Sequence, residues 1–404
     1  MIQATAIIGT NFGDEGKGLM TDYHCSGHGA GTIVVRFNGG AQAGHTVQVP
    51  GGARHVFHHL GAGTLAGSPT YLSRFFIVNP LLWRKEIAEL AAIHSGLFPL
   101  LYVDRDAPLS TPYDMLVNQE VERARGRNRH GSCGVGINET IERIVRGRPA
   151  THVRDIENPA LLRARLLEIR AGVPGRLAEH GIECPDDGAL AVIASDVLVE
   201  HFLEAAEELR ASASFVDAEL LRAYGRVVFE GAQGLLLDEL HRFFPYVTRS
   251  RTGLHNVMEL AAEVGIEALN VVYVTRAYMT RHGAGPFPTE DPELRYDDRT
   301  NVPNEYQGGL RFGWMDLDLL AASIADDRAG ADSGIVITPR LAVTCLDQVG
   351  EEVRYLQDRM PRRTTVRHFL AAAFDAAGVE SGYVSHGPTR SDVRMVHRRA
   401  PRPA

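Results

Sequence analysis

The chain has 404 residues, of which 44% are hydrophobic and 23% charged, and its formal net charge is -8. This composition is ordinary for a soluble globular protein and argues against a general nucleic-acid binder. No apolar run approaches the roughly 18 residues of a membrane helix, and the N-terminus has no charged leader or cleavage site. We therefore expect a cytoplasmic protein with neither membrane nor nucleic-acid partners. Its four cysteines are widely spaced, without metal-ligand spacing, and predict free thiols.

Short apolar runs followed by glycine turns predict strands of a parallel sheet, buried on both faces. Between these runs, apolar residues at three- and four-residue spacing predict helices over 159–179 and 195–223. We expect one α/β unit over 1–404, with a helical insertion at about 150–224 and a frayed tail at about 396–404. The predicted strands cover residues 4–9, 32–37, 226–231, 270–275 and 341–347.

The first strand leads into the sequence NFGDEGKGLMTD at residues 11–22. A strand, a glycine-rich loop and an apolar helix start are the layout of a phosphate-binding turn, in which backbone N–H groups face the anion. The fold is therefore expected to be P-loop-NTPase-like, with a mostly parallel central sheet covered by helices. The spacing differs from the usual P-loop, which has four residues between its glycines and Ser or Thr after Lys. Asp14 and Glu15 are also unusual, because carboxylates repel a phosphate.

Further motifs follow in a fixed order along the chain. In this order they resemble those of the adenylosuccinate synthetase family, and the resemblance spans residues 1–395. Several of the motifs are long and unusual, so chance agreement is negligible. After GDEGKG they are NGGAQAGHTV (38–47), FEGAQGLLLD (229–238), PYVT (245–248), YMTRHGAGPFPTE (278–290), FGWMD (312–316), VTCLD (343–347) and SHGPTR (385–390).

The resemblance implies a C–N bond-forming ligase of purine biosynthesis. In this family GTP phosphorylates the 6-oxo group of a purine monophosphate, and an amine then displaces the phosphate. The reaction that fits best converts IMP and L-aspartate to adenylosuccinate. The implied cofactor is Mg²⁺, with GTP as co-substrate and ATP as the alternative triphosphate. The implied partners are these small molecules (purine monophosphate, nucleoside triphosphate and amino acid) and a second copy of the chain, as a homodimer.

The resemblance also implies the catalytic roles. Asp14 matches the family residue that takes the N1 proton of the purine, so that O6 attacks the γ-phosphate. His45 matches the histidine that donates to phosphate oxygens, and Lys17 holds phosphate as a point charge. Magnesium between Asp14 and the phosphates makes the carboxylate tolerable, and the backbone carbonyl of Gly44 shares that metal. Hard oxygen ligands together with substrate phosphates suit Mg²⁺.

Two further sets of residues match binding positions of the family. One set would bind the purine substrate and the other GTP. In the GTP-binding set, the carboxylate of Asp347 would accept hydrogen bonds from guanine N1–H and N2–H₂ and so favour GTP over ATP. The substrate-binding set is Gln42, Ser132, Cys133, Arg146, Gln233, Thr248 and Arg311. The GTP-binding set is Gly13, Glu15, Gly16, Gly18, Thr46, Asp347, Ser385 and Gly387.

Some positions depart from the family pattern. Cys345 stands where the family has a lysine that stacks on guanine, which weakens the inference of GTP specificity. A phosphate-binding threonine is replaced by Cys133, and a nearby arginine by Val135. For the arginine that reaches across the dimer, the nearest candidates are Arg143 and Arg146.

The loop before GWMD departs most. The family holds aspartate there with a TTGRxRR segment, whereas residues 304–316 read NEYQGGLRFGWMD and keep only Arg311 of the arginine cluster. Bidentate arginines are the usual partners of carboxylates. Either the loop binds aspartate through Arg311, Asn304 and Gln307, or the amine donor is another compound.

Two alternatives to the reaction of IMP with aspartate follow. The first is a variant ligase that acts on GMP or dGMP or uses a different amine; Asp14 counts against a standard member of the phage subgroup that acts on dGMP and has serine there. The second is a non-catalytic purine-nucleotide sensor. Intact Asp14, Lys17, His45 and Gln233 argue against a sensor, which needs no general base.

Overall fold

A computed structural model describes the chain at residues 2–94, 96, 99–183, 187–298, 300–301, 308–331 and 334–397. Its strands, in chain order, are β1 Gln3–Gly9, β2 Thr32–Arg36, β3 His45–Gln48, β4 Arg54–Phe57, β5 Thr70–Leu72, β6 Leu101–Asp104, β7 Ala213–Val216, β8 Arg226–Glu230, β9 Ala268–Arg276, β10 Tyr278–Arg281, β11 Arg311–Asp316, β12 Val336–Thr344, β13 Glu352–Gln357, β14 Met360–Thr365, β15 Ser381–Ser385 and β16 Val393–His397.

Local sequence signals explain several helix starts. The side chain of Asn158 accepts from the N–H of Leu161 at 3.1 Å, directly before the proline that begins α5. None of the described helices is long and apolar enough to span a membrane. The helices are α1 Lys17–Cys25, α2 Pro80–Ile93, α3 Pro112–Arg125, α4 Ile137–Val145, α5 Pro159–Glu179, α6 Asp187–Ala194, α7 Asp196–Ser212, α8 Leu254–Glu263, α9 Leu317–Ala329 and α10 Val366–Ala377.

A ten-stranded sheet is the centre of the fold, in the order β16-β15-β12-β9-β1-β8-β2-β5-β6-β7. Every pairing in it is parallel except that of β15 with β16. A four-stranded sheet (β10-β11-β13-β14) and the hairpin β3-β4 are separate. The prediction of an α/β fold with a mostly parallel central sheet is confirmed.

The central strands are buried on both faces, as their uninterrupted apolar runs predict. In β1, Ala6 and Ile8 pack into one hydrophobic cluster, whereas Ile7 packs into another with Val34 of β2 and Val272 of β9. Because successive side chains of a strand point to opposite faces, the two clusters lie on opposite sides of the sheet.

The predicted functional loops lie at one edge of this sheet. Parallel strands end on the same side, and β1, β2, β8, β9, β12 and β15 are each followed by one of the quoted motifs or by the residues that open it. In open α/β sheets, ligands bind outside the carboxyl ends of the strands. The topology therefore gathers motifs that are hundreds of residues apart in sequence.

The prediction of helix over 195–223 is wrong at its end. Helix α7 stops at Ser212, and residues 213–216 form β7, the edge strand beside β6. Phe215 and Val216 favour a strand, and pairing with the exposed edge of β6 prevails over the helical pattern. The segment at about 150–224 is therefore not wholly helical. Residues 396 and 397 belong to β16, and the rest of the predicted frayed tail lies outside the described residues; the assignment of 1–404 to one unit stays a prediction.

A buried ionic cluster joins α3, α4 and α5. Asp114 accepts from Arg143 Nε at 3.0 Å and Nη2 at 2.9 Å, and from Arg176 Nη1 at 2.9 Å. Burial alone raises the pKa of Asp114, but the two guanidinium groups hold it below its ordinary value. Arg143 is therefore occupied inside the fold, which leaves Arg146 as the candidate for a contact across a dimer.

We expect Asp114→Asn to lower the free energy of unfolding by about 3–5 kcal/mol, because it leaves two buried guanidinium groups without a carboxylate. The measurement is chemical denaturation of purified protein. The control is Glu200→Gln, which breaks the exposed pair with Arg163 and should leave the midpoint unchanged. Equal midpoints for the two variants would contradict a stabilising role of the cluster.

Candidate active site

The loop between β1 and α1 has an unusual backbone. Gly13 and Gly16 have φ of 96° and 92°, and Asp14 between them has φ of 61°. Positive φ is uncommon for a residue with a side chain, although Asp and Asn adopt it more readily than others. The turn leads directly into α1, whose first N–H groups have no partner inside the helix and can face an anion.

Side chains from neighbouring strands fix this loop by its carbonyl groups. Thr280 of β10 donates to the carbonyl of Gly13 at 3.0 Å, and Thr344 at the end of β12 donates to that of Glu15 at 2.8 Å. A Cβ added to Gly16 would lie only 3.0 Å from the side chain of Thr344. The conformation is therefore set by strands distant in sequence.

Asp14 is the partly exposed carboxylate of the loop. Its backbone carbonyl accepts from Arg276 Nε, and its Oδ2 lies 3.6 Å from Nε2 of His282. The carboxylate has 22% of its side-chain surface exposed, so a ligand can reach it. Its backbone is held while its carboxylate is free to act, which suits a general base.

Lys17 and Glu15 form a buried ion pair beside the loop, with 3.1 Å between Lys17 Nζ and Glu15 Oε2. The other carboxylate oxygen accepts from the backbone N–H of Asn11. Burial raises the pKa of Glu15, and the ammonium group of Lys17 opposes that rise. The pair fills the space above Gly9, where a Cβ would lie 1.9 Å from Glu15 Oε2. Glu15 therefore holds the ammonium group at the start of α1.

His45 is the first residue of β3, and its imidazole is held by Glu230 at the end of β8. Nδ1 of His45 lies 2.7 Å from Glu230 Oε1. The other oxygen of Glu230 accepts from the N–H of Ala62 at 3.0 Å and lies 3.8 Å from Arg36 Nη1. Burial raises the pKa of Glu230, but the contacts with His45, Arg36 and Ala62 together hold it below its ordinary value.

Burial also lowers the pKa of His45, to about 4. The imidazole is therefore neutral at pH 7, and its Nδ1–H donates to the ionised Glu230, which leaves Nε2 without a proton. An anion close to Nε2 favours protonation of that atom, because an opposite charge raises the pKa of a histidine. The arrangement of Glu230 and His45 can therefore place a proton donor beside a bound phosphate.

A cavity of about 370 Å³ opens beside the loop. Five of the seven predicted substrate-binding residues line it, and so do Arg281 and His282, the latter next to Asp14. The structure thus brings these predicted residues together, although they come from four separate segments of the sequence. The five are Gln42, Ser132, Cys133, Gln233 and Thr248.

Polar groups in this cavity lack protein partners. Both amide atoms of Gln42 and Oε1 of Gln233 are buried without a hydrogen bond in the described part of the chain. Buried amides normally have partners, so these atoms are available to a ligand. Ser132 donates to Asn118 at 2.8 Å. Burial raises the pKa of Cys133 to about 11, so its thiol stays protonated and is a weak donor.

The other two predicted substrate-binding residues do not line this cavity. Arg146 is on the surface, 2.7 Å from Glu142 and 2.8 Å from Glu179. Arg311 is occupied within the chain: its Nη1 lies 2.7 Å from Glu290 Oε2, and its Nη2 donates to the carbonyl of Gly285 at 2.9 Å. Asn304 and Gln307, which were predicted to act with Arg311, lie outside the described residues.

The predicted guanosine-binding residues lie together at the ends of β12 and β15. The N–H of Leu346 donates to the carbonyl of Ser385 at 3.0 Å, which joins the loop with Cys345 and Asp347 to the loop with Gly387. The hydroxyl of Ser385 donates to the carbonyl of Gly387 at 2.6 Å. Thr46 shares a 2.9 Å hydrogen bond with Thr300. These contacts form a second wall beside the phosphate loop.

Three residues of the site were missed by sequence reasoning. Glu230 orients His45, His282 lies beside Asp14, and Arg276 holds the backbone of Asp14. The first two stand inside quoted motifs, in FEGAQG and TRHGAGP, so a signal was present. Arg276 precedes its motif and is recognisable only from its contact.

The site has few protein ligands for a metal. Among the described residues no group of three or more His, Cys, Asp or Glu side chains could hold an ion. Asp14 offers a carboxylate and Gly44 a backbone carbonyl, both hard oxygens. Mg²⁺ is typically bound by one or two carboxylates together with substrate phosphates and water, so the donor set fits Mg²⁺ bound with a nucleotide.

A phosphate-binding loop at the carboxyl edge of a parallel sheet, beside a cavity with unpartnered amides, defines a nucleotide-binding α/β protein. The adenylosuccinate synthetase family model matches residues 6–356. The adenylosuccinate synthetase of Xylella fastidiosa strain M12 is 31% identical over 450 residues, covering 98% of this chain and 99% of the relative. That of Stenotrophomonas maltophilia is 33% identical over 351 residues, covering 84% and 77%.

The chain therefore belongs to the adenylosuccinate synthetase family, and it is a C–N bond-forming ligase of purine biosynthesis that binds nucleotides. The predicted family membership is confirmed. Membership in a ligase family argues against the non-catalytic sensor. The family acts on small molecules.

Solved structures share the fold. A fully ligated adenylosuccinate synthetase from Plasmodium falciparum superimposes with a TM-score of 0.74 at 20% identity, covering 97% of this chain and 99% of that one. The succinoaminodeoxyadenylate synthetase (PurZ) of cyanophage S-2L, bound to dGMP and to dATP as an energy donor, gives a TM-score of 0.60 at 16% identity, covering 99% and 96%. Both comparisons confirm the architecture.

We expect Asp14→Asn to lower kcat at least about 100-fold, because it removes the base and keeps the size of the side chain. Asparagine also tolerates positive φ, so the thermal midpoint should not change. Asp14→Val should lower both kcat and the midpoint, since a β-branched residue is strained there. Phosphate release and calorimetry measure the two effects; substantial activity in Asp14→Asn would eliminate the carboxylate as base.

We expect His45→Asn to lower kcat by about 10²–10³, the usual loss for one donor to a developing charge. If Glu230 acts by orienting His45, the double variant His45→Asn/Glu230→Gln should have nearly the same kcat as His45→Asn alone. Steady-state kinetics of the two single variants and the double variant measure this coupling. Fully additive losses would show that Glu230 acts independently.

Proposed function

We propose that this protein phosphorylates the 6-oxo group of a purine monophosphate with GTP and displaces the phosphate with an amine, converting IMP and L-aspartate to adenylosuccinate. The observation that carries the proposal is the position of Asp14, held at positive φ beside His282 of the purine cavity. Lys17 is the first residue of α1, directly after the loop, and His45 packs against Gly18 of the same helix.

The first step needs a base at the purine. In the proposal, Asp14 takes the N1 proton, so that negative charge develops on O6. O6 then forms a bond to the γ-phosphorus while the bond from that phosphorus to the β,γ-bridging oxygen of GTP breaks. Gln233 and Gln42 supply the unpartnered amide groups that would hold the purine monophosphate.

The second requirement is stabilisation of the transferred phosphoryl group. Lys17 supplies an ammonium charge at the start of α1, and the N–H groups of Gly16 and Gly18 belong to the same turn. His45 donates from Nε2 while Glu230 compensates its charge. Such preorganised donors are worth more in a buried site than in water. In the last step the amine nitrogen bonds to C6, the bond between C6 and O6 breaks, and the phosphate leaves with O6 and with the proton that the amine loses.

Mg²⁺ would be held by Asp14 and the carbonyl of Gly44, and when bound it neutralises charge on the phosphates. Asp347 is proposed to select guanine, and the loop contact between Leu346 and Ser385 supports that position. Cys345 provides no cation for the base, so ATP is the alternative triphosphate.

We further propose a cytoplasmic homodimer in which Arg146 contacts the partner copy. Arg146 has 48% of its side-chain surface exposed, and the neighbouring Val145 is 71% exposed. An apolar side chain beside an exposed guanidinium group suits a protein contact. The occupied state of Arg143 removes the other candidate.

A different amine donor or purine is the second candidate. The ion pair of Arg311 with Glu290 favours it, because an aspartate carboxylate would have to compete with that pair at 2.7 Å. The replacement of a hydroxyl by the protonated thiol of Cys133 also changes the cavity. PurZ, which shares the fold, is bound to dGMP, so GMP and dGMP are the alternative purines.

The proposal is tested by phosphate release from GTP or ATP with IMP, GMP or dGMP, each with and without aspartate. We expect release that depends on both a purine and an amine, with the product identified by mass spectrometry. The purine that supports release is then prepared with oxygen-18 at O6, and the label should appear in the released phosphate.

Release with IMP and aspartate supports the first candidate, and release only with another purine or amine supports the second. Unlabelled phosphate would exclude attack by O6 in either case. For the donor, Arg311→Leu should raise the KM of aspartate strongly if the ion pair opens to bind it, and an unchanged KM would remove Arg311 from the donor site.

A further inference from the structure

A second cavity shares no described lining residue with the cavity of the candidate active site. It has a volume of about 580 Å³ and is bounded by the end of α1, the start of β8 and β15. Arg226, which lines it, is the first residue of β8, whereas Glu230 of the candidate active site is the last. Arg390, the last residue of the SHGPTR motif, also lines the cavity, which therefore extends along α1 from the start of β8 to the loop after β15.

The charged side chains among the described lining residues of this cavity are those of Arg226 and Arg390. Arg226, Arg390, His24 and His28 line it, and no carboxylate is found among its described lining residues. Arg340 of β12 is close as well: it stands two residues before Ala342, the sheet partner of Tyr383, so its side chain points to the same face of the sheet as Tyr383. Burial is the main cause that lowers the pKa of His24, to about 4, and the charges of Arg340 and Arg226 lower it further. Two guanidinium groups thus act on the same imidazole.

Arg226 and Arg340 are not paired with a carboxylate within the described part of the chain. Many arginines here pair with a carboxylate, as Arg390 does with Asp22 at 2.8 Å. Arg226 has no such partner among the described residues, and the one contact found there for the Arg340 guanidinium is the sulfur of Met395 at 4.0 Å. Nε2 of His24 is buried without a hydrogen bond. Unpartnered buried polar groups call for a ligand or another explanation.

Aromatic contacts fix the ring of His24 in the wall. Its centroid lies 5.4 Å from that of Tyr23 and 5.3 Å from that of Tyr383, both edge-on, and the two tyrosine rings are 5.6 Å apart. Edge-to-face packing at these distances is favourable. The imidazole is therefore held in place before any ligand arrives.

We propose that this cavity binds the phosphate group of a small phosphorylated metabolite through Arg226, Arg340 and His24. Guanidinium groups match phosphate oxygens in bidentate geometry. The volume exceeds that of a lone phosphate and falls within the roughly 300–1,000 Å³ of small-molecule sites, so the phosphate carries an organic group or a second phosphate. The end of α1 contributes only about half a negative charge, less than the two guanidinium groups.

Equilibrium dialysis with radiolabelled pyrophosphate tests the site. Wild-type protein is compared with Arg226→Gln/Arg340→Gln, with Lys17→Gln, which alters the phosphate loop, and with Arg367→Gln, an exposed arginine of α10 outside the cavity. We expect the double variant to lose one bound pyrophosphate per chain, and Lys17→Gln and Arg367→Gln to retain it.

If the double variant does not fold, Arg226→Gln alone decides. It should weaken that site at least about tenfold, because hydrogen bonds to charged groups are among the stronger ones. Equal binding by wild type and Arg226→Gln, loss of the only bound pyrophosphate in Lys17→Gln, or no binding by wild type would each overturn the proposal.

Discussion

The structure depends on how the loop between β1 and α1 is held. Its carbonyl groups accept hydrogen bonds from side chains at the ends of β9, β10 and β12, and Asp14 is thereby kept at positive φ. A carboxylate among phosphate-binding N–H groups is unfavourable unless its position is fixed and its charge is used. The surrounding strands fix the position of the Asp14 carboxylate, and the proposed proton transfer uses its charge.

Charge around the site is arranged in pairs with separate tasks. Glu15 holds Lys17, Glu230 holds His45, and Glu290 holds Arg311. In the first two pairs the carboxylate holds a group that is proposed to act on phosphate. In the third pair Glu290 binds Arg311, the residue that the family resemblance assigns to binding the amine donor.

Much of this could be predicted from sequence. The apolar runs predicted the parallel strands, since burial on both faces leaves a direct mark on residue type. The resemblance assigned Gln42, Cys133 and Gln233 to substrate binding, and the structure places them in one cavity. The strand at 213–216 could not be predicted, because its pairing depends on the open edge of β6. The occupied states of Arg143 and Arg311 likewise depend on contacts far away in sequence.

One consequence concerns the chemistry of Cys133. Its thiol lines the cavity of the candidate active site, and burial raises the pKa of the thiol to about 11. Thiolates, not thiols, react with electrophiles and oxidants. The cavity thus contains a sulfur atom that contributes shape and polarisability and reacts more slowly with alkylating agents and peroxide than a cysteine of ordinary pKa.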